Sequence, residues 1–281
     1  MELICLLSKL SAQNLNDLTN IFEEKKWKLN NSENVSLFNR ISRFLENLDD
    51  SHKQIFLKIL NLFEYYTLND YESLLIVALK KMKLDLGSNK YFFAPIMSDR
   101  DIKDIKSSML VAYLLKSNTL QYDEVLSKLK ITLTYDLNRE QIDRINRRQT
   151  YLVLVDDFIG SGNSAIESAK YYLNLGIKKE KIIVLSLITM NSGLRNLEEN
   201  NYKFFYSKQS LSLSEKVPIT ELIEIKNNIS IISEKLGIRN DILGYDESEG
   251  ILSMVRVPNN SLSLLWQGDP KDNIPFPRLR K

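Results

Sequence analysis

Three nearly continuous apolar runs constrain this chain most: "TYLVLVDD" from Thr150, "KIIVLSLITM" from Lys181 and "YKFFYS" from Tyr202. A strand with one wet face alternates polar and apolar residues. A strand apolar on both faces must be covered on both, as happens in a parallel sheet flanked by helices. Residues 163–175 and "SGLRNLEEN" (192–200) have helical character between the runs. The expected fold class is therefore α/β with a parallel sheet.

The short aromatic run "KYFFAPIM" (90–97) adds an earlier strand, and "SDRD" then opens a helix reaching about Lys116. Residues 122–130 and 139–147 are expected to be short helices, and 220–236 one more. From Gly244 the tail is strand-and-turn material rich in Asn, Pro and Gly. The first 87 residues differ, with helical periodicity and almost no glycine. Leu15, Leu18 and Phe22 form one stripe, and Leu37, Ile41, Phe44 and Leu48 a second. "SHKQIFLKILNLFEYY" and "YESLLIVALKKMKL" supply third and fourth helices, the latter ending at Gly87. The expected division is a helical N-terminal extension, 1–87, and an α/β domain, 88–281. The extension carries no chemistry of its own and suits packing or partner docking.

Composition narrows the function classes. Cys5 is the sole cysteine and His52 the sole histidine. Intrachain disulfides, cysteine metal clusters and multi-imidazole zinc sites are excluded, and a triad built on His52 is disfavoured. His52 follows "LDDS" at a helix start, where an exposed structural role is expected. The net charge of +2 marks neither a nucleic-acid binder nor a membrane-surface protein. There is no apolar run of membrane-spanning length, and "MELICLLSKLSAQNL" lacks a basic leader pattern. No membrane association is expected, and the expected location is cytoplasmic.

Chemistry concentrates in "LVLVDDFIGSGNSA", residues 152–165. Ligands of open α/β sheets bind beyond the carboxyl ends of strands, where Asp156 and Asp157 fall. Strand alternation lets both face one ligand only if the strand has just ended. Carboxylates accept hydrogen bonds from sugar hydroxyls but repel phosphate. The loop Gly160, Ser161, Gly162, Asn163 and Ser164 enters a helix, whose free N–H groups and dipole favour an anion. A ribose 5-phosphate fits both, with its diol on the carboxylates and its phosphate in the loop.

Other readings of the segment fare worse. "GSGNSA" matches the dinucleotide pattern G-x-G-x-x-A, but four residues separate it from the apolar run. The acid expected about twenty residues later is also missing. A Walker loop fails for want of Gly-Lys-Ser/Thr. Ser164 and Glu167 could form a capping box, which would leave the aspartates unexplained.

"VLVDDFIGSGNS" resembles the phosphoribosyl-pyrophosphate (PRPP) motif of type I phosphoribosyltransferases. Ser161, Gly162 and Ser164 match the Thr, Gly and Thr of a D-T-G-K-T loop, while Gly160 replaces its acid and Asn163 its Lys. Together with "PIMSDRDIKDIKSSMLVAYLL", "VPNNSLSLLW" and "PFPR", the chain resembles the PRTase-CE effectors of bacterial anti-phage systems. Several of those are encoded beside retron reverse transcriptases.

The resemblance implies a phosphoribosyltransferase (Rossmann-like) fold that binds PRPP or a related nucleotide. It implies catalytic roles for Asp156 and Asp157, and Mg²⁺ held through the ligand. A reverse transcriptase with its noncoding RNA is an implied partner. A pyrophosphate loop is expected at Ser98, Asp99 and Arg100, with Lys103 and Lys106 one and two turns on; Ser98 and Asp101 could equally form a capping box. A tail hood would draw on Asn259, Asn260 and Trp266, although these also suit a turn and a core. The alternative function is an inactive fold that binds nucleotide or docks the partner.

Overall fold

The computed structural model describes residues 10–88, 90–97, 105–147, 149–269 and 273–278. Its front end contains α1 (Ala12–Glu24), α2 (Ser32–Glu46), α3 (Asp50–Leu62) and the short β1 (Glu64–Tyr65). The chain continues through α4 (Leu68–Leu86), β2 (Lys90–Pro95), α5 (Ser107–Leu114), α6 (Asn118–Tyr122) and β3 (Lys130–Leu133). Next come α7 (Arg139–Asn146), β4 (Thr150–Ile159), α8 (Asn163–Asn174), β5 (Ile182–Met190), α9 (Asn191–Glu199) and β6 (Lys203–Ser210). The tail holds α10 (Leu213–Lys216), α11 (Ile219–Lys235) and β7 (Leu252–Ser253).

By compactness the chain divides into two units, Met1–Tyr65 with Ser212–Lys281, and Tyr66–Leu211. Helix α4, which precedes Gly87, thus belongs with the strands that follow it, and the tail belongs with the front helices.

In the first unit, side-chain caps start two helices: Ser11 accepts from the Asn14 N–H and Asn31 from the Asn34 N–H. Leu18 and Phe22, then Leu37, Ile41, Phe44 and Leu48, are buried as their spacing predicts. They join an aromatic core in which Phe22 meets Trp27 and Phe38 edge-on, each at 5.1 Å. His52 departs from expectation. It is buried, with Nδ1 3.2 Å from Asp49 Oδ2, because α3 turns that face inward. β1 pairs in parallel with β7, Tyr65 opposite Ser253. The Lys216 ammonium joins α10 to β1 through a half-buried 2.6 Å bond to Glu64.

The second unit is a five-stranded, all-parallel sheet in the order β3-β2-β4-β5-β6. All nine residues of β5 are buried, which is why its sequence shows no alternation. Leu152, Leu154, Ile182 and Val184 pack with Ala165, Ile166 and Ala169 of α8 and with Leu197 of α9. Each large apolar side chain removed from water there contributes about 1.5–3 kcal/mol. α4 is set by a Thr67–Asp70 capping box and ends on Gly87 at φ +63°.

Two sequence expectations change here. Residues 122–130 are not one helix. The Asp123 carboxylate accepts the N–H groups of Val125 and Leu126, turning the chain after α6, and Lys130–Leu133 become an edge strand on β2. The described part of the helix expected from "SDRD" begins only at Ser107, with Lys106 still extended.

Candidate functional site

The strand order creates the site. From β2 the chain moves outward to β3, then returns to the other flank of β2 as β4. That reversal makes the carboxyl ends of β2 and β4 the switch point, where the crevice of an open α/β sheet lies. The β2 ladder stops at Pro95 opposite Val155, and the Ile96 N–H closes it with a 2.9 Å bond to the Val155 carbonyl. Asp156 and Asp157 are the next residues of β4.

They do not lie beyond the strand, as the sequence had suggested. β4 continues to Ile159, paired now only with β5: Asp156 stands opposite Ser186, Phe158 opposite Ile188 and Ile159 opposite Thr189. The register with β5 stays constant through the pair, and Asp156 and Phe158 are half-buried while Asp157 and Ile159 are buried. Ile159, the last residue of the strand, packs in the same core as Leu152 and Leu154.

Their environments differ. Asp157 is buried, and its Oδ2 accepts a 2.6 Å hydrogen bond from the Tyr71 hydroxyl on α4. Asp156 is half-buried; its Oδ1 accepts the Asp157 N–H at 2.9 Å and the Ser107 hydroxyl at 3.4 Å. Burial pushes the Asp156 carboxyl well above the usual range, and the charge of Asp157 and a hydrogen bond between the two carboxyls add to the rise. The Asp157 N–H and Ser107 oppose it more weakly.

Past Ile159 the chain turns through Gly160, Ser161 and Gly162 into α8. Gly162 sits at φ +81° as the N-cap, and no side chain caps this helix. Ser164 is already the second helical residue, so the S-x-x-E box does not form. The Ile166 N–H bonds to the Gly162 carbonyl at 3.1 Å; the N–H groups of Asn163, Ser164 and Ala165 lie in the first turn, which lacks intrahelical acceptors. Asn163 and Ser164 are exposed.

Helix α9 braces the loop from one side. The Ser192 hydroxyl donates to the Gly160 carbonyl at 3.1 Å, and the Asn196 amide donates to the Ser161 carbonyl at 2.7 Å. In a trans peptide the next N–H points opposite the carbonyl, so the Ser161 and Gly162 N–H groups face away from α9. Asn196 also reaches Asn163 Oδ1 at 2.9 Å, and Asn200 steadies Asn196. Gly193 allows this approach: a Cβ there would lie 2.5 Å from the Gly160 oxygen.

Asp156, Asp157 and residues 160–164 are thus contiguous at the crevice. Ser98, Asp99, Arg100, Asp101 and Lys103 lie outside the described residues, and Lys106 immediately precedes α5. The hood candidates belong to the other unit. There Asn260 is buried and donates to the Ser248 hydroxyl at 2.8 Å, and Asn259 is exposed with its carbonyl accepting from the Tyr245 N–H. The Trp266 indole is buried and donates to the Ser261 carbonyl at 3.0 Å. Sequence reasoning missed Tyr71, Ser107, Ser192, Gly193 and Asn196. Only Gly193 left a trace, as a lone glycine inside a helical pattern.

Among the described residues no three acids, histidines or cysteines gather as a metal cage. No helix among them is long and apolar enough to cross a membrane. No curated protein matches the chain. A model of the PRTase-CE family matches residues 41–278, spanning the crevice, its loop and most of both units. The parallel sheet, its switch-point acids and that match together place the chain in the PRTase-CE family of phosphoribosyltransferase-like proteins.

Proposed function

We propose that this protein is a phosphoribosyltransferase-like effector. It binds PRPP, or a related ribose phosphate or nucleotide, and breaks the bond at ribose C1 with loss of pyrophosphate. One observation carries the reading: two adjacent carboxyls at the switch point lead directly into a helix N-terminus left open by Gly162.

In this reading the ribose diol lies against Asp156 and Asp157, and the 5-phosphate meets the N–H groups of residues 161–165. Asp156, with its raised proton affinity, can donate to one hydroxyl while Asp157 accepts from the other. As the C1–O bond breaks, pyrophosphate leaves with the electron pair and C1 gains positive charge. The fixed acidic pair stabilises that charge without reorganising. The acceptor then supplies the electrons for the new bond and loses its own proton. Tyr71 and Ser107 act as positioning residues for the two carboxyls.

The two carboxyls fit Mg²⁺ held mainly by its ligand: they are oxygen donors, too few for a protein cage. When bound, Mg²⁺ would neutralise charge on the departing pyrophosphate. The family resemblance also supports a role in bacterial anti-phage defence, with a retron reverse transcriptase and its noncoding RNA as partner.

Calorimetric titration with PRPP and Mg²⁺, joined to an assay for released pyrophosphate, tests the reading. Binding and release are expected. Neither occurring, with or without the partner, would overturn it.

A further inference from the structure

The unit formed by the front helices and the tail holds a pocket of its own, of about 430 Å³. It lies at the carboxyl ends of the parallel pair β1 and β7, where Tyr65 and Ser253 end their strands. Arg40 of α2, Arg256 from the segment after β7, and Arg278 from the "PFPR" motif all line it. Among the described residues that line it, none is acidic. In a chain whose net charge is only +2, the guanidinium groups of Arg40 and Arg256, joined by that of Arg278, form a local positive centre.

The rest of the wall is mostly apolar, with the hydroxyls of Ser36 and Ser253 and the aromatic rings of Tyr65 and Phe276. The Phe276 ring stacks on Phe63 at 4.5 Å and lies 5.5 Å from Tyr65. The Tyr65 hydroxyl is pinned by a 2.6 Å bond to Glu33, and the Arg278 guanidinium sits 5.5 Å over the Trp266 ring. Rigid aromatic faces beside guanidinium forks suit an anion that carries a planar ring. Guanidinium recognises phosphate through paired N–H groups, aromatic faces accept bases, and the volume is that of a small-ligand site.

We propose that this pocket binds a nucleotide unit, its phosphate on Arg40 and Arg256 and its base against the wall of Tyr65 and Phe276. Free nucleotides and single-stranded nucleic acid share that chemistry. The site is separate from the crevice at Asp156, and the proposal does not depend on the function assigned there.

The test is fluorescence anisotropy of the full chain with a short fluorescein-labelled RNA, with AMP and a poly-glutamate peptide as competitors. The RNA is expected to bind, and the paired variant Arg40→Ala with Arg256→Ala to bind about 10- to 100-fold more weakly, the range for losing charge-assisted hydrogen bonds. Arg40→Lys with Arg256→Lys keeps charge and fold but loses the forks, and is expected to weaken binding several-fold. Competition by AMP assigns a free nucleotide; binding of RNA without that competition assigns a strand. The proposal is overturned if neither probe binds, if both arginine pairs bind like the parent, or if poly-glutamate displaces the RNA. Loss of RNA binding in Gly162→Val would also overturn it, by placing the ligand at the crevice.

Discussion

The Tyr71 hydroxyl donates a 2.6 Å hydrogen bond to Asp157 Oδ2, joining α4 to the carboxyl end of β4 across 86 residues of sequence. Both side chains are buried, so the bond holds a carboxyl that water cannot reach freely. Tyr71→Phe removes the donor and leaves the acceptor in place. The expected cost is about 1–3 kcal/mol of stability, read from urea unfolding, with slower pyrophosphate release. A double-mutant cycle with Asp157→Asn should show coupling; strict additivity would mean the bond orients nothing.

Asp157→Asn removes a buried negative charge at constant size, and Asp156→Asn replaces the proton-holding carboxyl with an amide that cannot titrate. Each is expected to fold and to lose on the order of 10²–10³ in turnover, the scale for deleting one preorganised electrostatic partner. If the proposed defence role holds, loss of phage protection at normal protein levels is the expected cellular outcome. A double variant that still released pyrophosphate would leave the crevice a scaffold.

The loop offers a steric test. At Gly162, φ +81° strains any L side chain, and Gly193→Ala would place a methyl 2.5 Å from the Gly160 oxygen. Gly162→Val is expected to abolish PRPP binding by calorimetry. Gly193→Ala, which touches no ligand in this reading, should cost about 1–3 kcal/mol through overpacking and weaken binding by displacing the loop. Unchanged affinity in both would remove the loop from the site.

The raised Asp156 carboxyl sets a pH dependence. The folded chain retains a proton there that the unfolded chain releases near 3.8. The stability linked to that proton is full below the unfolded value and is lost as pH rises through the folded one. Asp156→Asn removes this penalty. Its Tm should exceed the parent's by a few degrees at pH 7 and by little or nothing below pH 4, measured by scanning calorimetry. An equal gain at both would trace the effect to packing instead.

Much of this molecule was legible in its residues because burial leaves a local signature. β4 and β5 read as strands since both faces of the sheet are covered and their runs are almost wholly apolar, with Ser186 the one polar residue in the middle of β5. The turn into α8 was legible because glycine is the residue that accepts φ +81° cheaply, and the helix starts at Asn163, where the sequence placed it.

What the sequence could not carry depends on contacts between distant segments. "KITL" has no strand signal strong enough to stand alone; it is a strand because β2 offers a free parallel edge. The acidic pair is plain in the sequence, but the burial of Asp157 and half-burial of Asp156 follow from β2 ending opposite Val155 while β5 runs on. Tyr71 sits in a helix with no local mark of chemistry, and Asn196 in another. Only the packing of α4 and α9 brings them to the crevice. Side-chain periodicity is set by the chain's own backbone and can be read along it. The partner of a buried polar group is set by which elements share a core, and that exists only once the chain has folded.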